Sequence, residues 1–258
     1  MTKRTALVGG GAGGIGRATA ERLARDGHRV VLSGRHADTL ATVTAELRGS
    51  TGAQVDYLVG DVADPRSAES IMAELAEWYD GPDVLVLNAG GPPPGPILDV
   101  GDEQWRAAFE LLVLGPLRLA RLALPAMAER GFGRVIVVTS TAVRQPQPDL
   151  AASVVLRAAM TSAAKLLSRE YATSGVTVNC VAPGPTATGR RRQILSARAE
   201  RLGGTYDAQD DADTATVPAG RAGQPEEVGA AIAFLASAAA SYVNGTVLTV
   251  DGGRTETV

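Results

Sequence analysis

The sequence predicts an α/β fold, a doubly wound parallel sheet of seven strands with helices on both faces. Short β-rich runs recur between longer stretches of helical periodicity, the pattern of successive βαβ units. The 258 residues with 45% apolar composition are enough to bury a sizeable core, and α/β folds of this length commonly form one domain. In order, the strand candidates are 5–8, 29–33, 55–58, 84–87, 135–139, 176–181 and 247–250. The helical stretches between them run over about 15–26, 37–48, 65–79, 102–130, 151–173 and 225–236. Neither an internal repeat nor an interdomain linker interrupts this rhythm.

The 25 basic and 28 acidic residues are interspersed and the net charge is −3. Nothing in that balance points to nucleic acid or an anionic membrane as partner, so a small-molecule ligand is expected. Cys180 stands alone within an apolar run, which excludes an internal disulfide and leaves no thiol and histidine constellation for a metal. It reads as a core residue. Lys3-Arg4 leads straight into a strand-like run, and no apolar stretch approaches bilayer-spanning length, so the protein is expected to be cytoplasmic.

One segment breaks the βα alternation. Residues 184–223 hold no strand candidate, carry Arg190-Arg191-Arg192, and turn acidic through Asp207, Asp210, Asp211 and Asp213. A long excursion beyond the carboxyl end of a strand usually serves as a lid or binding loop. The arginines suit an acidic substrate or a carrier phosphate, and equally a solvated helix face.

After the first strand comes Gly9-Gly10-Gly11-Ala12-Gly13-Gly14-Ile15-Gly16. Such glycines let the backbone turn tightly and approach a pyrophosphate set at a helix N-terminus. A carboxylate about 20 residues past the glycines would hold the ribose 2′-hydroxyl of NAD, but here the stretch reads Ser33-Gly34-Arg35. An arginine and no carboxylate favour the 2′-phosphate of NADP(H) over NAD(H), unless Arg35 only caps a surface turn.

The spacing Gly10-x-x-x-Gly14-Ile15-Gly16 resembles the fingerprint of the short-chain dehydrogenase/reductase family, with Gly9 where a threonine usually stands. The resemblance continues through Asp61-Val62, Asn88-Ala89-Gly90, Asn179, Pro183-Gly184, Gly223-x-Pro225-Glu226-Glu227-Val228 and Asp251-Gly252-Gly253. It implies a single Rossmann-type domain over 1–258 with a lid at about 185–222. It also implies a nucleotide held by Gly10, Gly14, Ile15 and Gly16, by Ser33 and Arg35, by Asp61 and Val62, by Asn88, Ala89 and Gly90, and by Pro183, Gly184 and Thr188. A homodimer or homotetramer through the helices starting near Asp102 and Ala151 is implied as well.

The family's catalytic pattern is where this chain departs. In the family a tyrosine exchanges the proton, a lysine four residues later lowers its pKa, a serine orients the carbonyl, and a helical asparagine completes a proton relay. Ser140 matches the serine. Counting thirteen residues on gives Ser153 for the tyrosine, and four more give Arg157 for the lysine. Lys165-Leu166-Leu167-Ser168-Arg169-Glu170 follows without a gap, which anchors the count, and Leu112 stands for the asparagine. The segment Leu150-Ala151-Ala152-Ser153-Val154-Val155-Leu156-Arg157-Ala158-Ala159 is similar to that of an atypical 3-oxoacyl-carrier-protein reductase-like subgroup lacking the tyrosine and lysine.

No nearby tyrosine replaces the missing one. Tyr171 follows Ser153 by eighteen residues on the same predicted helix, roughly 27 Å away. Tyr206 lies in the lid with no cation placed beside it, and His28 and His36 flank the second strand as expected surface residues. A serine hydroxyl is a poor general acid, whereas Arg157 stays protonated and offers a planar donor fork for ribose hydroxyls, a carboxylate or an oxyanion. Three readings follow. One is an NADP(H)-dependent carbonyl reductase or alcohol dehydrogenase using Ser140, Ser153 and Arg157 on a carbonyl, alcohol or acyl substrate. Another is a non-redox isomerase, dehydratase or cyclase on the same scaffold, and the last is a non-catalytic nucleotide-binding protein.

Overall fold

A computed structural model describes residues 3–257. Seven parallel strands, β1 (Thr5–Gly9), β2 (Arg29–Gly34), β3 (Val55–Val59), β4 (Val84–Leu87), β5 (Gly133–Val138), β6 (Val176–Pro183) and β7 (Val247–Val250), form one sheet in the order β3-β2-β1-β4-β5-β6-β7. The strands carry apolar residues on both faces. Ala6, Val8, Val30, Leu32, Val84, Val86, Ile136 and Val138 point into one core layer. Their neighbours Leu7, Val31, Leu85, Leu87, Val135 and Val137 point into the other. A side-chain period of two with apolar residues at both phases forces helices onto both faces.

The first layer is closed by α1 (Gly14–Arg25), α2 (Ala37–Thr51) and α9 (Pro225–Ala236). The second is closed by α3 (Pro65–Tyr79), α5 (Gly115–Glu129) and α6 (Ala151–Glu170). Cys180 lies in that second layer, and burial pushes its thiol up to about 12, so it stays an unreactive core group. His28 proves to be partly buried rather than on the surface, its ring nitrogen 3.2 Å from the Leu23 carbonyl.

Residues 102–130, expected as one α-helix, are instead α4 (Asp102–Phe109), a π-helical turn (Glu110–Leu114) and α5. The Gly115 N–H reaches back to Glu110, a five-residue step, and the following Pro116 has no N–H with which to bond the Leu112 carbonyl. Joined end to end, Asp102–Glu129 makes a 28-residue helical stretch that is long and apolar enough to cross a membrane, which corrects the sequence expectation. Half of its most apolar window is buried inside the fold, with Leu119, Ala123, Leu124 and Met127 packed against the sheet.

The lid segment holds two helices, α7 (Gly189–Leu202) and α8 (Tyr206–Ala215). A bridge between Thr186 and Gly223 closes its base. The carboxyl ends of β1, β4, β5 and β6 converge beneath it, because β1 and β4 are neighbours at the point where the strand order reverses. In open parallel sheets this crevice is where ligands bind.

Gly115 ties the π turn to that end of the sheet. A Cβ there would stand 2.1 Å from the Val62 carbonyl oxygen. A Gly115→Ala variant gains about 1 kcal/mol of helix propensity but must displace backbone, and overpacking of this kind costs typically 1–3 kcal/mol or more. Urea unfolding is therefore expected to show a net loss of about 1–2 kcal/mol.

Candidate active site

The glycine-rich turn is held by the strand beside it. Asn88, just past β4, donates from Nδ2 to the Gly9 carbonyl at 2.9 Å, and Gly11 N–H bonds the Ser33 carbonyl at 3.2 Å. Gly10 has φ +60°, and a Cβ on it would come 2.8 Å from Asn88 Nδ2. A Cβ on Gly16 would come 2.1 Å from the Gly10 carbonyl oxygen. The chain therefore folds back tightly and enters α1, whose N-cap Gly13 supplies no side-chain bond and whose first turn has no acidic residue. Those first N–H groups lack an intrahelical partner, and the helix dipole favours an anion beside them.

Ser140 follows β5 in extended backbone (φ −165°, ψ 149°), and its Oγ accepts from the Ala142 N–H at 3.1 Å. In α6, Ser153 and Arg157 sit one turn apart on one face. Arg157 Nε donates to Ser153 Oγ at 3.2 Å, Nη1 to the Val138 carbonyl at 2.7 Å, and Nη2 to the Gly90 and Ala89 carbonyls at 2.9 and 3.5 Å. Each serine oxygen thus already accepts an N–H, which leaves its own O–H free to donate. Burial first, and the Arg190 charge second, bring Arg157 down to about 10, so it remains a cation at neutral pH.

A cavity of about 500 Å³ joins these groups. Gly10, Gly14, Ile15, Asn88, Ala89 and Gly90 line one side. Ser140, Ser153, Arg157, Pro183, Gly184 and Thr188 line the rest, under a cover that includes Arg190, Ile194, Leu195 and Arg198 from α7. The structure thus brings together twelve of the seventeen residues singled out from sequence.

The other five lie outside that cavity. Gly16 packs beneath the glycine turn, and Ser33 is buried at the end of β2. Arg35 is exposed and makes no ion pair among the described residues. Asp61 Oδ1 accepts from the Ala63 N–H at 3.0 Å, and Val62 packs against the second core layer. The donor set fits a dinucleotide phosphate: an uncapped helix N-terminus on the cavity and an unpaired guanidinium at the end of β2.

Leu112, in the π turn, is 3% exposed within a small apolar cluster with Ala108, Val113, Ala152 and Leu156. Lys165, the next cation along α6, donates to the Gly245 carbonyl at 3.0 Å instead. Tyr171 caps the far end of α6, and Tyr206 turns its hydroxyl to Asp210 at 3.5 Å, while the Arg192 guanidinium lies 5.7 Å from its ring centre, which corrects the expectation that no cation stands beside it. The cavity wall contributed by Gln147, Leu150, Ile194 and Arg254 was not legible from sequence, since no motif marks those residues.

A family model described as "Enoyl-(Acyl carrier protein) reductase" matches residues 10–255. Dehydrogenase/reductase SDR family member 4 of Bos taurus is 34% identical over 256 residues, covering 98% of this chain and 88% of that protein. The L-sorbose reductase of Gluconobacter frateurii, solved with NADPH and L-sorbose, superposes with a TM-score of 0.93 at 31% identity, covering 100% of this chain and 98% of that one. Actinorhodin polyketide ketoreductase, solved with NADPH, superposes with a TM-score of 0.94 at 33% identity, over 99% and 98% of the two chains. With the strand order, the Asn88-anchored glycine turn and these likenesses in agreement, the chain belongs to the short-chain dehydrogenase/reductase family of nicotinamide-dependent oxidoreductases.

Proposed function

We propose that this chain is an NADP(H)-dependent oxidoreductase of the carbonyl reductase or alcohol dehydrogenase type. Its active site is non-standard, as in the 3-oxoacyl-carrier-protein reductase-like subgroup without the tyrosine and lysine. The observation that carries the reading is the single cavity running from the glycine turn to Ser140 and Ser153. Arg35 would meet the 2′-phosphate, and both solved neighbours described above hold NADPH. When bound, NADPH supplies the hydride. Ser140 and Ser153 donate their free O–H groups to the carbonyl oxygen and polarise it.

Arg157 spends four hydrogen bonds on Ser153 and three backbone carbonyls. Its role is therefore to position Ser153 and lend positive potential, in place of the direct grip on an oxyanion expected from sequence. The proton that completes the alcohol comes from solvent, because among the described residues no tyrosine, lysine or histidine side chain lines the cavity. That same lack favours a second reading, a non-redox enzyme that polarises a carbonyl with the same serines. We also read the chain as assembling with copies of itself, since Phe109, Leu122, Val155 and Leu166 leave apolar surface exposed on the long helices.

Purified protein should enhance the fluorescence of NADPH, and Arg35→Ala should weaken that binding roughly 10- to 100-fold with little change for NADH. Turnover of activated ketones should consume NADPH, flat from about pH 6 to about 9 and falling as pH rises through about 10, where Arg157 loses its proton. Failure to bind either nicotinamide would sink the reading, and turnover without NADPH consumption would favour the non-redox one. Arg157→Ala leaves the Val138 and Gly90 carbonyls without their donor and should lower stability by about 1–3 kcal/mol in urea unfolding. Sedimentation should give the mass of a dimer or tetramer, and a monomer would refute self-association.

A further inference from the structure

Three consecutive arginines, Arg190, Arg191 and Arg192, occupy the first turn of α7, which has no acidic residue. Aligned peptide dipoles disfavour cations at a helix N-terminus, so each needs compensation. Arg191 finds it in Asp210 and Asp213, and Arg192 lies over the Tyr206 ring, 5.7 Å from its centre. Arg190 pairs with no carboxylate among the described residues. Its hydrogen bonds go to two neutral acceptors, Gln193 Oε1 at 2.9 Å and the Pro92 carbonyl at 2.5 Å. Of an arginine's five N–H donors, these use two, leaving three.

Arg190 lines the same cavity as Ser140, Ser153 and Arg157. The other cations on that wall are paired with carboxylates: Arg191 with Asp210 and Asp213, Arg198 with Asp149 at 2.7 Å and Arg254 with Asp213 at 3.2 Å. Among the described residues, only Arg157 and Arg190 share the wall without a counter-ion, and each is lowered in pKa by burial, Arg157 also by Arg190. Two mutually repelling, half-buried cations are costly unless an anion joins them. Arg157 has four of its five N–H donors committed and keeps one, whereas Arg190 keeps three, so most of the open donors belong to Arg190.

We propose that Arg190 binds the carboxylate of an oxo-acid substrate whose carbonyl oxygen is held by Ser140 and Ser153, making the enzyme selective for keto acids over neutral ketones. The guanidinium fork matches a carboxylate in two parallel bonds, and the lid helix that carries it would close on the charged end of the substrate. This assignment rests on the carbonyl-reductase reading of the same cavity. A cofactor phosphate is the other anion that could meet Arg190, and the test separates the two.

The full-length protein, saturated with NADP⁺ so that no turnover occurs, is titrated calorimetrically with acetoacetate and with methyl acetoacetate. Acetoacetate is expected to bind at least about 10-fold more tightly than its ester. Arg190→Gln, checked as folded by its thermal melt, should abolish that preference while leaving NADP⁺ affinity within about 2-fold. Arg190→Lys, which keeps the charge, should retain part of it. Equal binding of acid and ester by the wild type, or a preference that survives in Arg190→Gln, overturns the assignment. So does an Arg190→Gln variant that loses NADP⁺ affinity as steeply as acetoacetate affinity, which would give Arg190 to the cofactor's phosphates. If NADP⁺ does not bind the wild type at all, it is the cofactor reading that fails, and the same acid and ester comparison on the free protein decides the carboxylate site by itself.

Discussion

The guanidinium of Arg157 is the joint on which the site depends. It reaches from α6 to the carbonyl at the end of β5 and to the turn that follows β4, so three elements distant in sequence meet on one side chain. A buried cation is tolerable only where its donors find acceptors, and here the acceptors are carbonyls at strand ends, where the ladder of the parallel sheet stops. A lysine in the same place would present a compact ammonium with three donors, whereas the planar fork spans several acceptors at once. The fourth bond fixes Ser153 Oγ, and with it the direction in which that hydroxyl can donate.

Around this joint the sheet order does the rest of the positioning. Because β1 and β4 are neighbours, Asn88 can hold the glycine turn through the Gly9 carbonyl, and the glycine end of the cavity becomes continuous with the serine end. The π turn keeps its shape without an asparagine, since the cause is local: Pro116 withholds an N–H and Gly115 presses on Val62. Leu112 packs there in a small apolar cluster with Ala108, Val113, Ala152 and Leu156.

The lid shows the same division between structural and free charge. Asp213 is buried and bridges Arg191 of α7 to Arg254 near the chain end, which fastens two helices and the final loop together. Two of the four acidic residues of α8, Asp210 and Asp213, thus serve as counter-charge within this segment. Among the described residues, the cations on the inner wall without a carboxylate partner are Arg157 and Arg190.

Much of this was legible in the residues. Apolar runs at both phases of the strand period dictate a sheet covered on both faces, and glycines at 10, 14 and 16 dictate a tight turn into a helix, because both are local consequences of side-chain size and pattern. The counts from Ser140 also place Ser153 and Arg157 on one helical face, since helix spacing is a property of the chain alone. Which of the three lid arginines is free was not determined there. Nor was the partner of the Arg157 fork, or the burial of the 28-residue helical stretch. Those outcomes depend on which carboxylates and carbonyls arrive from other parts of the chain, and only the packing of the lid and the strand ends brings them within hydrogen-bonding distance.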